Sequence, residues 1–182
     1  QAEEPEVTSG DSFFLKDAFH PTLYLKNLRE SEHTVPFNLE LDSNTRILLL
    51  SGPNAGGKSV LLKAVGLLQV MLQSGLHVPV DKDSKFRIFE KIFSDIGDHQ
   101  SVDDDLSTYS SHLKTMRLAL KYADSDSLLL FDEFGTGTDP RLGGAIAEGI
   151  LKELGKSKSI GILTTHYGNL KSFAHDKKYI KN

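Results

Sequence analysis

The sequence has no cysteine, no basic excess and no long apolar run. Without cysteine there is neither a disulfide framework nor a thiolate metal site, which suits a reducing compartment such as the cytoplasm. Lys and Arg number 21 against 25 Asp and Glu, so the net charge is −4. Proteins that wrap DNA or RNA carry a basic excess or stripe, so strong nucleic-acid binding by this segment alone is not expected.

No stretch approaches the roughly 18 apolar residues of a membrane span, so no membrane partner is expected. The opening residues, QAEEPEV, are acidic and polar, unlike a signal peptide, and residues 1–11 are predicted to be a flexible lead-in. The length of 182 residues is enough for one domain with a sizeable core. Because the chain starts at Gln1 rather than Met, we expect a fragment of a longer chain.

Apolar strand-like segments alternate with helical ones along most of the chain. Continuous apolar runs predict strands buried on both faces, and longer segments with helical spacing predict helices. The strand segments are 46–52, 127–133 and 159–166, and the helical segments are 59–75, 107–123 and 144–154. This alternation predicts an α/β fold with a mostly parallel central sheet flanked by helices.

The N-terminal part has a different pattern. Residues 12–25 contain aromatic and aliphatic side chains interrupted by Pro21, which predicts a short strand and a turn. Residues 31–45 alternate around Phe37 and predict an edge strand, and residues 76–105 predict short strands followed by an acidic run. We therefore expect an antiparallel edge near the N-terminus.

A glycine-rich motif, GPNAGGKS, stands between a predicted strand and a predicted helix. It fits G-x-x-x-x-G-K-[ST], in which glycines let successive backbone N–H groups face a phosphate and the helix N-terminus adds positive charge. In this pattern Lys58 reaches the β- and γ-phosphates and the Ser59 hydroxyl binds Mg²⁺. The motif, called the phosphate loop below, predicts a nucleoside triphosphate site. Its residues are Gly52, Pro53, Asn54, Ala55, Gly56, Gly57, Lys58 and Ser59.

Acidic residues and a histidine follow the other two buried strands. Asp132 and Glu133 end LLLFDE, and His166 follows GILTT. Because ligands bind at the carboxyl ends of parallel strands, we expect Asp132 to hold Mg²⁺ through water and Glu133 to orient and activate the attacking water. His166 could sense or bond the γ-phosphate. Solvated loop charges and an idle histidine are the alternatives.

The stretch LSTYSSH places five hydroxyl-bearing residues, Ser107–Ser111, at the start of a helical pattern. Ser and Thr are unfavourable inside helices but favourable at their starts, where side chains cap backbone N–H groups. An ordinary N-cap, with Ser107 bonding the amide near Ser110, is one explanation. The acidic run Asp103–Asp105 before this stretch is expected to be solvent-exposed. The alternative is that acidic residues of this region form a metal site. The residues of that alternative metal site are Asp95, Asp98 and Asp103–Asp105.

Four segments follow one another as GPNAGGKS, LSTYSSH, LLLFDEFGTGTDP and LTTHY. In that order they resemble the ATPase domain of the MutS family, relatives of the ABC ATPases, from about residue 20 to the end. The segments SGLHVP, IFSDIGDHQS and DEFGTGTDP are similar to the second bacterial MutS paralogue. The mismatch-repair branch instead has an arginine before the first serine and GRGTST in the later loop, from which Leu106 and GTGTDP depart.

The resemblance implies that residues 1–182 form a single P-loop, ABC-type ATPase domain that hydrolyses ATP with Mg²⁺. Gly52–Ser59 would bind the triphosphate, with Ser59 and the Walker B acid Asp132 serving the metal. Glu133 would be the catalytic carboxylate and His166 the switch histidine.

The resemblance also implies a homodimer with composite sites. Ser107 would cap a helix whose N-terminus points at the γ-phosphate bound by the partner subunit, and Asp139 would lie in a loop that crosses the dimer interface. Asn54 would help to place water or the γ-phosphate. Candidates for one face of the adenine site are His20, Pro21, Val35 and Phe37. Core packing is the other explanation for these four residues.

For the full-length protein the resemblance implies DNA binding through domains outside this segment and suppression of recombination, with ribosome rescue as the other role of relatives. Two alternatives come from other functional classes. One is a nucleotide-gated binding switch with little turnover, against which Glu133 argues. The other is a kinase, although residues 134–158 show no obvious acceptor pocket or lid arginines.

Overall fold

The chain alternates strands and helices, and its strands form two separate sheets. In the computed structural model the elements are β1 (Glu6–Thr8), β2 (Phe13–Ala18), α1 (Pro21–Glu30), β3 (Phe37–Leu41), β4 (Ile47–Ser51), α2 (Lys58–Gln73), β5 (Lys85–Arg87), β6 (Lys91–Asp95), α3 (Asp105–Tyr122), β7 (Ser127–Phe131), α4 (Pro140–Leu154), β8 (Ile160–Thr165), α5 (Gly168–His175) and β9 (Ile180–Lys181). The structure describes residues 3–52, 57–97, 105–136 and 139–182, and for residues 105–109, 111 and 140 it describes the backbone alone.

Each sheet lies in its own compact unit. The first unit comprises Gln1–Asp42 and Val60–Ile88, and the second comprises Ser43–Ser59 and Phe89–Asn182. The phosphate loop and the acids predicted to serve it all belong to the second unit.

The first unit contains a mixed sheet with strand order β1-β5-β2-β3. Strand β1, which falls within the expected lead-in, pairs parallel with β5, and β2 pairs antiparallel with β5 and β3. The antiparallel strands expected at the edge of the parallel sheet therefore belong to a different sheet. The physical reason is that this sheet has its own core, since Phe13 and Leu15 of β2 and Leu39 and Leu41 of β3 are buried.

The turn predicted around Pro21 is wrong, because Pro21 is the first residue of helix α1. His20 adopts an extended backbone before the helix, and its side chain accepts a hydrogen bond from the Leu23 N–H at 3.4 Å. Proline is favourable at the first helical position, because the backbone N–H that it lacks has no partner there in any case. Pro21 therefore begins a helix where the sequence pattern alone predicts a break.

The second unit contains a five-stranded sheet with the order β6-β7-β8-β4-β9, and all of its strand pairs are parallel. The three predicted buried strands are its centre, and every residue of β7 and β8 is buried. This confirms the predicted α/β class and the mostly parallel sheet. In the register, Asp95 lies opposite Phe131 and Ser51 lies opposite Thr165. The residues that follow β4, β7 and β8 consequently meet at one sheet edge.

Helices α3, α4 and α5 pack against one face of this parallel sheet through a shared hydrophobic core. Burying a leucine or phenylalanine side chain stabilises a fold by roughly 1.5–3 kcal/mol, so this core holds the strands of the parallel sheet in place. Within the described ranges, no helix has both the length and the apolar character needed to cross a membrane. The core residues are Met116 and Ala119 of α3, Ala147, Leu151 and Leu154 of α4, Leu170 and Ala174 of α5, and Ile47, Leu49, Leu129, Phe131, Phe134, Leu163 and Ile180.

Candidate nucleotide-binding site

The two described ends of the phosphate loop have backbones that suit close approach to an anion. Gly52 directly follows β4 with φ 146°, and Gly57 precedes α2 with φ 74°, a conformation that glycine adopts without steric cost. A Cβ built on either glycine meets no atom of the described residues within 4 Å. The intervening positions, Pro53, Asn54, Ala55 and Gly56, lie outside the described residues.

Lys58 is the first residue of α2 and is 9% exposed. Its ammonium group donates a hydrogen bond to the Gly52 carbonyl oxygen at 2.5 Å, so the side chain reaches back to the residue that follows β4. A nearly buried ammonium is costly unless charge or hydrogen bonds compensate it, and a phosphate would provide both. Ser59 follows on the same helix and is half-buried.

Asp132 lies directly after β7 and is 8% exposed. Its Oδ1 accepts a hydrogen bond from the Thr164 hydroxyl at 2.5 Å and another from the Glu133 backbone N–H at 3.2 Å. Its own backbone N–H donates to the Asp95 carbonyl oxygen at 2.9 Å. The strands on both sides of β7 therefore hold Asp132 at the sheet edge, β6 through its backbone and β8 through its carboxylate.

Glu133 and His166 face each other across the ends of β7 and β8. The His166 Nε2 lies 3.7 Å from the Glu133 Oε1, and both side chains are partly exposed. Glu133 has φ 46°, a left-handed backbone that is uncommon outside glycine. The structure thus brings Asp132, Glu133 and His166 together, as the sequence predicts, with the two potentially reactive groups toward solvent.

The residues of this edge fit a magnesium–triphosphate complex chemically. Mg²⁺ prefers hard oxygen ligands, and Ser59 and Asp132 offer a hydroxyl and a carboxylate within one unit. Lys58 adds the positive charge that phosphates require. Among the described residues, no cluster of three or more His, Cys, Asp or Glu side chains has metal-binding geometry, and Asp98 and Asp103–Asp105 of the alternative acidic site lie outside that description.

Asp95, another member of the alternative acidic site, has a different partner. Its Oδ2 pairs with the Nδ1 of His112 on α3, and both side chains are about nine-tenths buried. The hydrogen bond that His112 donates to the Asp95 carboxylate raises the pKa of His112, burial lowers it, and the negative charges of Asp95 and Glu133 raise it further. The histidine at the end of LSTYSSH thus ties α3 to the end of β6, a role not foreseen from the sequence.

This pair predicts a pH-dependent contribution to stability. Because the pKa of His112 is raised in the folded state, the charged pair stabilises most below the unfolded value of about 6.5 and is lost as pH rises through the folded value. We expect His112→Leu to lower the free energy of unfolding by roughly 2 kcal/mol near pH 6 and by less near pH 9. Urea denaturation at both pH values measures this difference.

The matched control for this prediction is His175→Leu. His175 has a side chain that is 91% exposed, so its replacement should change the free energy of unfolding little at either pH. An equal loss for His112→Leu near pH 6 and pH 9 would contradict the charged pair and indicate packing alone.

The structure gives Asp139 a local role. It is the N-cap of α4, where its Oδ1 accepts hydrogen bonds from the backbone N–H groups of Arg141 at 3.0 Å and Leu142 at 3.2 Å. Its predicted place at a dimer interface stays a prediction. Helix α3 begins at Asp105, two residues earlier than predicted, so Ser107 lies inside its first turn and is not the N-cap. The side chain of Ser107 lies outside the described residues.

The sequence motifs do not predict a role for Thr164 or Thr165. Thr164 bonds both acids, and the Thr165 hydroxyl lies 3.4 Å from the Phe134 carbonyl oxygen and accepts from the Tyr167 N–H at 3.1 Å. The available signal was two adjacent hydroxyls in SIGILTTH, an otherwise apolar buried strand. Buried hydroxyls need partners, and at a strand end the nearest partners belong to the site.

Comparison with known protein families agrees with this geometry. The family model that matches the chain is MutS domain V, over residues 48–182, which includes the phosphate loop, both acids and His166. MutS domain V is a P-loop ATPase domain. The parallel sheet, with the phosphate loop and the two acids after its strands, agrees with this class. The chain belongs to the MutS family.

The curated relatives show that the chain is of the type of the second MutS paralogue, as the motifs predict. The chain is 43% identical over 181 residues to the Endonuclease MutS2 of Caldicellulosiruptor saccharolyticus, covering 100% of this chain and 22% of that protein. It is 41% identical over 182 residues to the Endonuclease MutS2 of Lactobacillus acidophilus, again covering 100% of the chain and 22% of the relative. The Endonuclease MutS2 of Bacillus velezensis is 41% identical over 177 residues, with 97% and 22% covered. The chain thus spans 22% of the length of these relatives.

Proposed function

We propose that residues 1–182 act as one ATPase domain that binds Mg-ATP and hydrolyses it to ADP and phosphate. The observation that carries this proposal is the meeting of Lys58, Asp132, Glu133 and His166 at the carboxyl edge of one parallel sheet. A cation for the phosphates, a metal ligand and a carboxylate for water are the parts that phosphoryl transfer to water requires.

Each of these residues has a specific part in the proposed reaction. Lys58 exchanges its bond to the Gly52 carbonyl oxygen for the phosphates. Ser59 and Asp132 serve Mg²⁺, which when bound neutralises negative charge on the β- and γ-phosphates. Glu133 orients and deprotonates the attacking water, supported by its exposed position beside the phosphate loop's sheet edge. His166 contacts the γ-phosphate while its Nε2 stays within reach of the Glu133 carboxylate.

The proposal includes a homodimer of the ABC type with composite sites. Ser107, in the first turn of α3, would bind the γ-phosphate held by the partner subunit, because hydroxyls and free N–H groups at a helix start are good phosphate ligands. Asp139 would stand beside that interface as the cap of α4.

At the level of the full-length protein, we propose that ATP turnover is coupled to binding of DNA structures through other parts of the chain. Support comes from relatives named Endonuclease MutS2, a name that indicates action on nucleic acid by those proteins. The acidic balance of this segment, with a net charge of −4, supports DNA contacts outside this segment. Suppression of recombination is the role proposed for such coupling, and ribosome rescue is the alternative.

The experiment that tests the proposal follows ATP, ADP and free phosphate in one reaction, with and without EDTA. Equal amounts of ADP and phosphate, produced only when Mg²⁺ is present, are the expected result. ADP without free phosphate would indicate a kinase, and tight ATP binding without ADP would indicate a nucleotide-gated switch. Either of these outcomes overturns the proposed hydrolysis.

A further inference from the structure

The Thr164 hydroxyl is bonded to both acids of the candidate site. This oxygen donates its hydrogen to the Asp132 Oδ1 at 2.5 Å and accepts the Glu133 backbone N–H at 2.8 Å. Thr164 is fully buried near the end of β8, where its carbonyl oxygen also accepts the Phe134 N–H at 2.7 Å. One residue therefore holds three consecutive positions of the turn that follows β7.

We propose that Thr164 is a positioning residue of the ATPase site, which orients the Asp132 carboxylate toward the metal and holds Glu133 in its reactive backbone conformation. This inference rests on the proposed function and deepens it. Thr164 itself touches neither the nucleotide nor water in this role, because it acts through the two acids.

The first part of the argument concerns the orientation of Asp132. A carboxylate on a single rotatable bond can present either oxygen, and a fixed donor on one oxygen selects one orientation. Hydrogen bonds from Thr164 and from the Glu133 N–H both reach Oδ1, and within the described part of the chain none reaches Oδ2. Oδ2 is thus the oxygen left for Mg²⁺ or its water.

The second part concerns the backbone of Glu133. Its left-handed φ of 46° is unfavourable for a residue with a Cβ, and such a conformation persists when surrounding bonds hold it. The bond from its N–H to the Thr164 hydroxyl supplies one of these restraints. In this conformation the Glu133 Oε1 lies 3.7 Å from the His166 Nε2.

A pair of substitutions separates the hydroxyl from the volume of the side chain. Thr164→Val keeps the shape and strand preference but removes the hydroxyl, whereas Thr164→Ser keeps the hydroxyl and removes a methyl group. We expect Thr164→Val to lower ATP turnover by about 10–100-fold and to weaken the Mg²⁺-dependent part of ATP affinity by a similar factor. We expect Thr164→Ser to restore both values to within about threefold of wild type.

A second readout does not depend on turnover. Hydrogen exchange of the Glu133 amide, measured by NMR, should be at least about tenfold faster in Thr164→Val than in wild type or Thr164→Ser, because this amide loses its shorter bond. Thr165→Val is the matched control, since the Thr165 hydroxyl is also buried on β8 but bonds neither acid. It should leave the exchange of the Glu133 amide unchanged.

The outcomes separate this inference from the proposed function. If wild type hydrolyses ATP and Thr164→Val matches it in turnover and in amide exchange, the positioning role is overturned and the ATPase stands. If wild type releases no phosphate, the proposed function fails. In that case unchanged amide exchange in Thr164→Val also overturns the role of Thr164, and faster exchange supports it. Loss of activity in both Thr164→Val and Thr164→Ser would indicate a packing effect and would likewise overturn it.

Discussion

Replacing Glu133 by glutamine is expected to lower ATP turnover by about 10²–10⁴-fold while Mg-ATP binding stays within a few-fold of wild type. Glutamine keeps the size of the side chain but cannot accept the proton of the attacking water. Glu133 bonds through its backbone N–H to Thr164 and Asp132, so the turn should survive the change. Phosphate release and equilibrium binding of ATP, measured on the same preparation, test the two halves of this prediction.

The matched control is Glu153→Gln. Glu153 is an exposed residue of α4 that pairs with Lys156 at 2.7 Å, far along the chain from either acid, and its replacement should leave turnover unchanged. Unchanged turnover in Glu133→Gln would remove Glu133 from the reaction and favour a nucleotide-gated switch.

Because Glu133→Gln should retain bound ATP, the same variant tests the composite dimer. Sedimentation velocity is expected to show a monomer without nucleotide and a dimer with Mg-ATP. Adding Ser107→Ala should weaken this shift if Ser107 binds the partner's γ-phosphate, whereas Ser172→Ala, on the exposed side of α5, should not. A dimer that is indifferent to Ser107→Ala would remove Ser107 from the partner's site and leave the hydroxyl run as part of the first turns of α3.

Replacing Lys58 by methionine is expected to weaken Mg-ATP binding by at least about a hundredfold, or ~2.7 kcal/mol. Methionine keeps the apolar stem that packs at the start of α2 but removes the ammonium that now reaches the Gly52 carbonyl oxygen. With that charge removed, the proposed site loses a nearly buried cation that could pair with the phosphates. Isothermal titration calorimetry with Mg-ATP measures the change.

Lys156→Met is the matched control for this substitution. Lys156 is exposed and pairs with Glu153 on the same unit, so its loss changes the net charge equally without touching the phosphate loop. If Lys58→Met binds Mg-ATP as tightly as Lys156→Met does, the phosphate loop does not hold the triphosphate.

The parallel sheet could be predicted from the sequence because its central strands are continuous apolar runs. LLLF and GIL have no polar position that could face solvent, which leaves only a strand covered on both faces. The separate mixed sheet could not be predicted in the same way. Its pairing of β1 with β5 joins distant parts of the chain, and no local pattern records which strand a short segment will choose.

The candidate site could be predicted to the extent that its residues stand immediately after those apolar runs. Gly52, Asp132 and His166 each follow a strand end, so parallel pairing alone brings them to one edge. The roles of Thr164 and of the pair formed by Asp95 and His112 could not be predicted in this way. Their importance depends on which face of a strand or helix they occupy, and a hydroxyl in a strand or a histidine in a helix is compatible with many surroundings.

The left-handed backbone at Glu133 separates what the fold prefers at this position from what the chemistry requires. For a residue with a Cβ this conformation costs about 1–2 kcal/mol, which glycine avoids. Variants selected for thermal stability alone should therefore drift toward glycine at position 133, whereas variants selected for turnover should keep the acid. The two selection pressures oppose each other at a single residue, so a lineage that no longer needed hydrolysis would be free to lose the carboxylate and would gain stability by doing so.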